Sequence, residues 1–380
     1  MVRMTDLLKK VKRQIGPEKE THPTEKEKPP QSKENIAQPP EAEPIQPPAV
    51  QKEEVKFAEA FIKRAGTPTR SGEDIAHRFI KASIPDNTEI EKLYFDSVEA
   101  MKRIFSTYQD DGKIDQKEIM DIANRIVNNI LSGTRQLLKL FHEVDSTEFY
   151  LYHNAVNVGI LSTEIGVQFN YNKSMLVDLT VIGLLHDIDL IKSKHIIETS
   201  EKLNEEELKQ IQQHTLISAA FIDNAFNFTK DIVNAVLQHH ERKNGQGYPA
   251  GLNDNEIQDF AGIVGIADTY ESMTHFRPHK EKKSPHTAIL EIINNCAILF
   301  SNDLIKALVG RVGLYPVGSW VQLNTGEICK VLEINPDFPL RPVISIIMDN
   351  DKKKFREIRT INLQKVPSLY IKNIVEKNPI

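Results

Sequence analysis

His239-His240-Glu241-Arg242-Lys243-Asn244-Gly245-Gln246-Gly247-Tyr248-Pro249 is the stretch on which the reading turns: a doubled histidine, a charged step, then a loop with two glycines and a proline. Working outward, the other informative histidines lie at wide intervals inside predicted helices. Upstream, His214 follows Gln212-Gln213, and His186-Asp187 closes the apolar run Val181-Ile182-Gly183-Leu184-Leu185. Further back, His153 lies in the helical stretch from Tyr150 to Val158; downstream, Asp268 follows Gly265-Ile266-Ala267. A single histidine beside apolar residues is more often a satisfied core residue than a ligand. A His-Asp pair at the end of an apolar helix asks for more, because burying an unpaired carboxylate is costly and a metal cation is one partner that offsets it. Imidazole nitrogens and carboxylate oxygens without thiolate suit iron, manganese, zinc or nickel, and a carboxylate such as Asp187 can bridge two ions.

The ordered series H…HD…H…HH…GYP…D resembles the HD-GYP family, a branch of the HD-domain phosphohydrolases, over roughly residues 146 to 312. That resemblance implies a mainly α fold, an HD-domain helical bundle, and a metal-dependent phosphodiesterase that opens cyclic di-GMP to the linear dinucleotide and then to GMP. Carried over by position, His153, His186, Asp187, His214, His239, His240 and Asp268 match the metal ligands. Tyr248 in the loop, with Arg277 and Lys280 in Phe276-Arg277-Pro278-His279-Lys280, matches residues that hold the guanine and phosphate parts of the substrate. Independent chemistry agrees with this. Paired cations lower the pKa of water and stabilise charge on a phosphoryl oxygen, and the planar fork of Arg277 suits a phosphate or a guanine edge.

Three positions depart from the family pattern. Phe149 stands one helical turn before His153, where some members place a metal-binding Glu; Glu148 is about 100° away around the axis and does not replace it. The expectation is therefore two divalent ions per chain, iron or manganese ahead of zinc or nickel. Leu190 replaces the lysine of the family's HDIGK, removing a cation worth about 3 kcal/mol of transition-state stabilisation; Lys194, a turn beyond, is the candidate substitute. Asp189 adds a carboxylate that either orients a ligand histidine, caps the next segment or faces solvent. The leading expectation is a phosphodiesterase, slowed by Leu190. The alternatives are a cyclic dinucleotide receptor signalling to protein partners through its N-terminal helices or β tail, and a scaffold with a vestigial cluster.

The remaining sequence frames this domain. Residues 1–55 include a Pro/Glu/Lys-rich stretch that buries too little apolar area to offset chain entropy and reads as disordered. Residues 56–145 form an N-terminal helical region, clearest where Ile90, Leu93, Tyr94, Val98, Met101, Ile104 and Phe105 recur every three or four positions. Those faces serve packing within the chain or a homodimer. Asp115, with Glu118 three residues on, reads as a capping box starting a second long helix that runs toward Phe141. Gln109 to Asp115 looks like a calcium loop at Gly112 and Glu118, but Thr107 and Gln109 stand where carboxylates belong, so an ordinary turn is expected.

Residues 313–380 form a small β-rich subdomain, with strands read at Trp320 to Leu323, Ile328 to Ile334 and Val343 to Met348. Its start, Leu314-Tyr315-Pro316-Val317-Gly318, resembles an extension found on some family members. The formal charge of -5, with signs interspersed, provides no broad positive field, which argues against DNA as a partner. Two cysteines are too few for a disulfide framework and fit a reducing compartment. With neither a membrane-length apolar run nor an export signal, cytoplasm is the expected location.

Overall fold

The computed structural model describes residues 87–144, 150–199, 203–278 and 281–375. The expectations for residues 1–86, Glu148, Phe149 and Lys280 lie outside the described residues. Helix α1 (Asn87–Asp111) buries the seven residues of the periodic face, Ile90 to Phe105, and also Tyr108. Gly112 ends it at φ +63, in the left-handed region that glycine enters without a Cβ penalty. Thr107 and Gln109 are thus helical residues and no loop runs through them.

Two expectations about the next segment are corrected. Asp115 caps α2 (Gln116–Leu131) by accepting the Lys117 amide, but Glu118 does not complete a capping box; its carboxylate accepts the Arg103 guanidinium at 2.8 Å. Nor does the helix continue to Phe141. Gly133 at φ +82 breaks it, and α3 (Gln136–Glu143) follows as a separate helix.

At the centre, α4 (Tyr150–Gln168) and α5 (Lys173–Leu185) are buried on nearly every side. They cross in backbone contact at Gly159 and Gly183, where a Cβ on Gly183 would lie 2.6 Å from the Gly159 Cα. Only a glycine permits that approach, which sets the height of His186 against α4. A 3-10 turn (Ile188–Ser193) and α6 (Lys194–Ile197) lead to α7 (Glu205–Gln212), α8 (His214–Ala225) and α9 (Lys230–Gln238). Helices α10 (Asp259–Thr274), α11 (Pro285–Asn295) and α12 (Asn302–Val312) complete the bundle.

The chain then forms an antiparallel sheet in the order β4-β3-β2-β1-β5. The strands are β1 (Trp320–Leu323), β2 (Ile328–Glu333), β3 (Val343–Met348), β4 (Lys354–Asn362) and β5 (Ile371–Ile374). Val321, Leu323, Cys329, Val331, Ile344, Ile346 and Leu363 make its apolar core. His286 on α11 bonds the Leu314 carbonyl at 2.7 Å and stacks on Tyr315, tying the bundle to the start of the β tail. Among the described residues, no helix is long and apolar enough to cross a membrane. The fold class is mainly α, a helical bundle followed by a small C-terminal sheet.

Candidate metal centre

The cluster is assembled from helix ends. His186 follows α5 and His239 follows α9, His214 opens α8, and Asp268 lies within α10. Three of the imidazoles are held alike. Nδ1 of His186, His214 and His239 bonds the carbonyl three residues earlier, Gly183, Ile211 and Val236, at 2.7, 2.6 and 2.7 Å. A carbonyl only accepts, so each Nδ1 carries the proton and each neutral ring keeps its lone pair on Nε2.

Those lone pairs converge. His214 Nε2 and His239 Nε2 are 3.4 Å apart and lie 3.0 and 3.5 Å from Asp187 Oδ1. His186 Nε2 is 3.4 Å from Asp187 Oδ2 and 3.9 Å from Asp268 Oδ1. His186 Nε2 and Asp187 Oδ1 are buried without hydrogen-bond geometry to any partner. Lone pairs facing lone pairs and carboxylate oxygens repel unless a cation lies between them, so the donor set fits a metal ion. The ligand atoms fall into two groups, each within 4.8 Å: Asp187, His214, His239 and His240, and His186, Asp187 and Asp268. Asp187 belongs to both.

Electrostatics express the same demand for positive charge. Burial disfavours a charged His186, yet the Asp187 and Asp268 carboxylates outweigh it and raise its pKa to about 10, a proton standing where a cation would. Burial also opposes charge on Asp187 and Asp268, but His186 holds both below the usual carboxylate range, with His214 assisting at Asp187. His239 is pushed down to about 4 chiefly by burial, and His240 well below its ordinary value by burial and its neighbours His239 and His214.

His153 is not drawn into either group; its Nδ1 lies 3.4 Å from the Tyr94 hydroxyl. Tyr248 stands over His240, ring centroids 4.7 Å apart. Its loop is seated by the Glu241 carboxylate, which accepts the amides of Ala250 and Leu252 at 2.6 and 2.8 Å. Burial, then Asp187 and Asp268, push the Tyr248 phenol up, so the hydroxyl keeps its proton. Arg277 is buried, stacked 4.0 Å above the Tyr150 ring, donating to Glu271 at 2.7 Å and lying 3.8 Å from Asp268.

Behind the ligands runs a polar network that sequence reasoning missed. Asn154 donates to Asp268 at 3.2 Å and to Glu271 at 2.8 Å; Asn157 donates to Glu271 at 3.3 Å and accepts from Tyr94 at 2.9 Å. Its available signal was two amides, three residues apart, in the mostly apolar first half of a buried helix. The roles weighed for Asp189 and Lys194 are also revised. Asp189 is buried facing α1, accepting the Tyr108 hydroxyl at 2.8 Å with Lys192 at 3.2 Å. Lys194 lies 3.9 Å from Glu198, an ordinary pair one helical turn apart.

An HD domain model matches residues 138–298, and a KOW domain associated with HD domain matches residues 320–380. The first match spans His153 through Asp268 in the order already described. Residues 138–298 thus carry an HD domain, and the relatives it matches support the HD-GYP resemblance. The chain is 30% identical over 239 residues to the cyclic di-GMP phosphodiesterase PdeB of Borreliella burgdorferi, covering 62% of each chain. It is 28% identical over 241 residues to the cyclic di-GMP phosphodiesterase PA4108 of Pseudomonas aeruginosa, covering 63% of this chain and 58% of that one. The matches thus span about three fifths of those relatives' lengths. Bd1817, an HD-GYP-like protein from Bdellovibrio bacteriovorus, shares the fold at a TM-score of 0.50 with 18% identity, over 68% of this chain and 79% of that one.

Proposed function

We propose that this chain is a metal-dependent phosphodiesterase acting on cyclic di-GMP to give the linear dinucleotide, GMP or both. The observation that supports it most is the convergence of three imidazole Nε2 atoms on the Asp187 carboxylate, which belongs to two ligand groups at once. In this reading His153, His186, Asp187, His214, His239, His240 and Asp268 hold two divalent ions, iron or manganese ahead of zinc or nickel. Such ions would supply an activated water and offset charge on the phosphoryl oxygens. The protein's own groups do the rest. Tyr248, with its phenol protonated, donates a hydrogen bond to the dinucleotide, while Arg277, held by Glu271 and Tyr150, and Lys280 bind its anionic or guanine parts.

A second reading, a receptor with slow turnover, has a specific observation in its favour. Leu190 is only 6% exposed where the family carries lysine, and the nearby Lys192 bonds Tyr108 while Lys194 lies by Glu198. Incubating manganese- or iron-loaded protein with cyclic di-GMP, and following binding and linear product together, separates the two. Product that disappears in Asp187→Ala supports the enzyme. Binding with no product leaves the receptor, and neither binding nor product overturns both.

A further inference from the structure

Three of the histidines fix their tautomer on a backbone carbonyl of their own helix turn; His153 is held differently. Its Nδ1 faces the hydroxyl of Tyr94 on α1, a helix that lies wholly before the matched HD region. The proton accounting along this contact leaves one solution. Glu271, paired with Arg277 at 2.7 Å, only accepts, so Asn157 turns its amide nitrogen toward Glu271 and its carbonyl oxygen toward Tyr94. The Tyr94 hydroxyl has a single proton and gives it to Asn157 at 2.9 Å. Its oxygen is then the acceptor for His153, so Nδ1 of His153 bears the proton and the lone pair remains on Nε2.

We propose that Tyr94 is a positioning residue that fixes His153 in the Nδ1–H tautomer, making α1 part of the HD-GYP metal centre. The inference rests on the reading of His153 as a ligand. Partners that orient a metal-binding imidazole from behind typically contribute 10–100-fold to metal affinity. The consequence is that a displacement of α1 would reach the centre through a defined hydrogen-bond chain, Tyr94 to His153 on one side and Tyr94, Asn157, Glu271 and Arg277 on the other.

The test is nitrogen-15 NMR of histidine-labelled, metal-free full chain at mildly alkaline pH, alongside manganese titration. The wild type should show His153 protonated at Nδ1. Tyr94→Phe should mix or reverse that tautomer and weaken manganese binding by about 10–100-fold. Tyr108→Phe removes a hydroxyl from the same helix without touching His153, so its His153 tautomer should match the wild type and exclude a general loosening of α1. A His153 proton on Nε2 in the wild type, or a tautomer unchanged by Tyr94→Phe, overturns the proposal. A changed tautomer with unchanged manganese affinity instead upholds the positioning by Tyr94 and overturns His153 as a ligand.

Discussion

The helix ends around Asp187 and the seam between α3 and α10 each shield imidazole nitrogens from water, His186 wholly buried and His142 half-buried, and treat them in opposite ways. His186 is surrounded by Asp187 and Asp268 and rises to about 10. His142, whose two ring nitrogens are buried without a hydrogen-bond partner, lies against Phe141 and Tyr270 and falls to about 3 through burial, helped by His275. A buried histidine is therefore no sign of a metal site by itself. Carboxylates aimed at it are the sign, because they make positive charge favourable where the protein interior alone would forbid it.

The largest way to break this contrast is Gly247→Ala. A Cβ there would sit 2.4 Å from the Arg242 nitrogen and 2.5 Å from the His240 carbonyl oxygen, all backbone, so the loop carrying Tyr248 must move. Misplacement on the scale of an ångström costs about 100-fold in rate, and the manganese-loaded variant should lose cyclic di-GMP turnover by that order. Trp320, the single tryptophan, lies in the β unit and should report an unshifted local environment by fluorescence. Full activity in this variant would mean that the loop plays no part in the centre.

Glu271→Gln sharpens the contrast with a smaller effect. It keeps the shape but removes the charge that pairs Arg277 and sets an amide donor among the Asn154 and Asn157 donors. Manganese affinity should fall by about 10–100-fold, as for other residues that support ligands from behind. Unchanged affinity would show that position without charge suffices.

What was legible in the sequence follows the same division. Periodicity exposed α1, because seven apolar side chains share one face, and alternation with turn residues exposed the inner strands. The edge strand β4 was not read: Lys354, Arg356, Glu357 and Arg359 interrupt its pattern, as charges on sheet edges often do. The break after α2 was missed because Gly133 alone signals it. In the site, His186, Asp187, His214, His239, His240 and Asp268 stand out through chemistry and order, and the structure brings their ligand atoms together. Tyr94, Asn157 and Glu271 act through partners 63 and 114 residues away, a pairing that no local pattern contains. Asp189 shows the reverse case: beside His186 in sequence, it turns in the fold to Tyr108 on α1.

The smallest effect tests the other half of the contrast. His142 is neutral in the native state down to about pH 3, whereas in the unfolded chain it titrates near its ordinary value of 6.5. Above that value neither state binds the proton and His142 contributes no pH dependence. As pH falls from about 6.5 toward 3, the unfolded chain gains a proton that the folded chain refuses, so stability declines by at most about 1.4 kcal/mol per pH unit. His142→Phe removes the titrating group and fills the aromatic seam with Phe141 and Tyr270, so denaturant melts of the metal-free variant should lose less stability over that window than the wild type. The difference between the two curves should vanish in slope above about pH 6.5. Parallel curves throughout would mean that His142 accepts its proton in place, and that burial in the α3–α10 seam does not oppose the charge that the carboxylates welcome at His186.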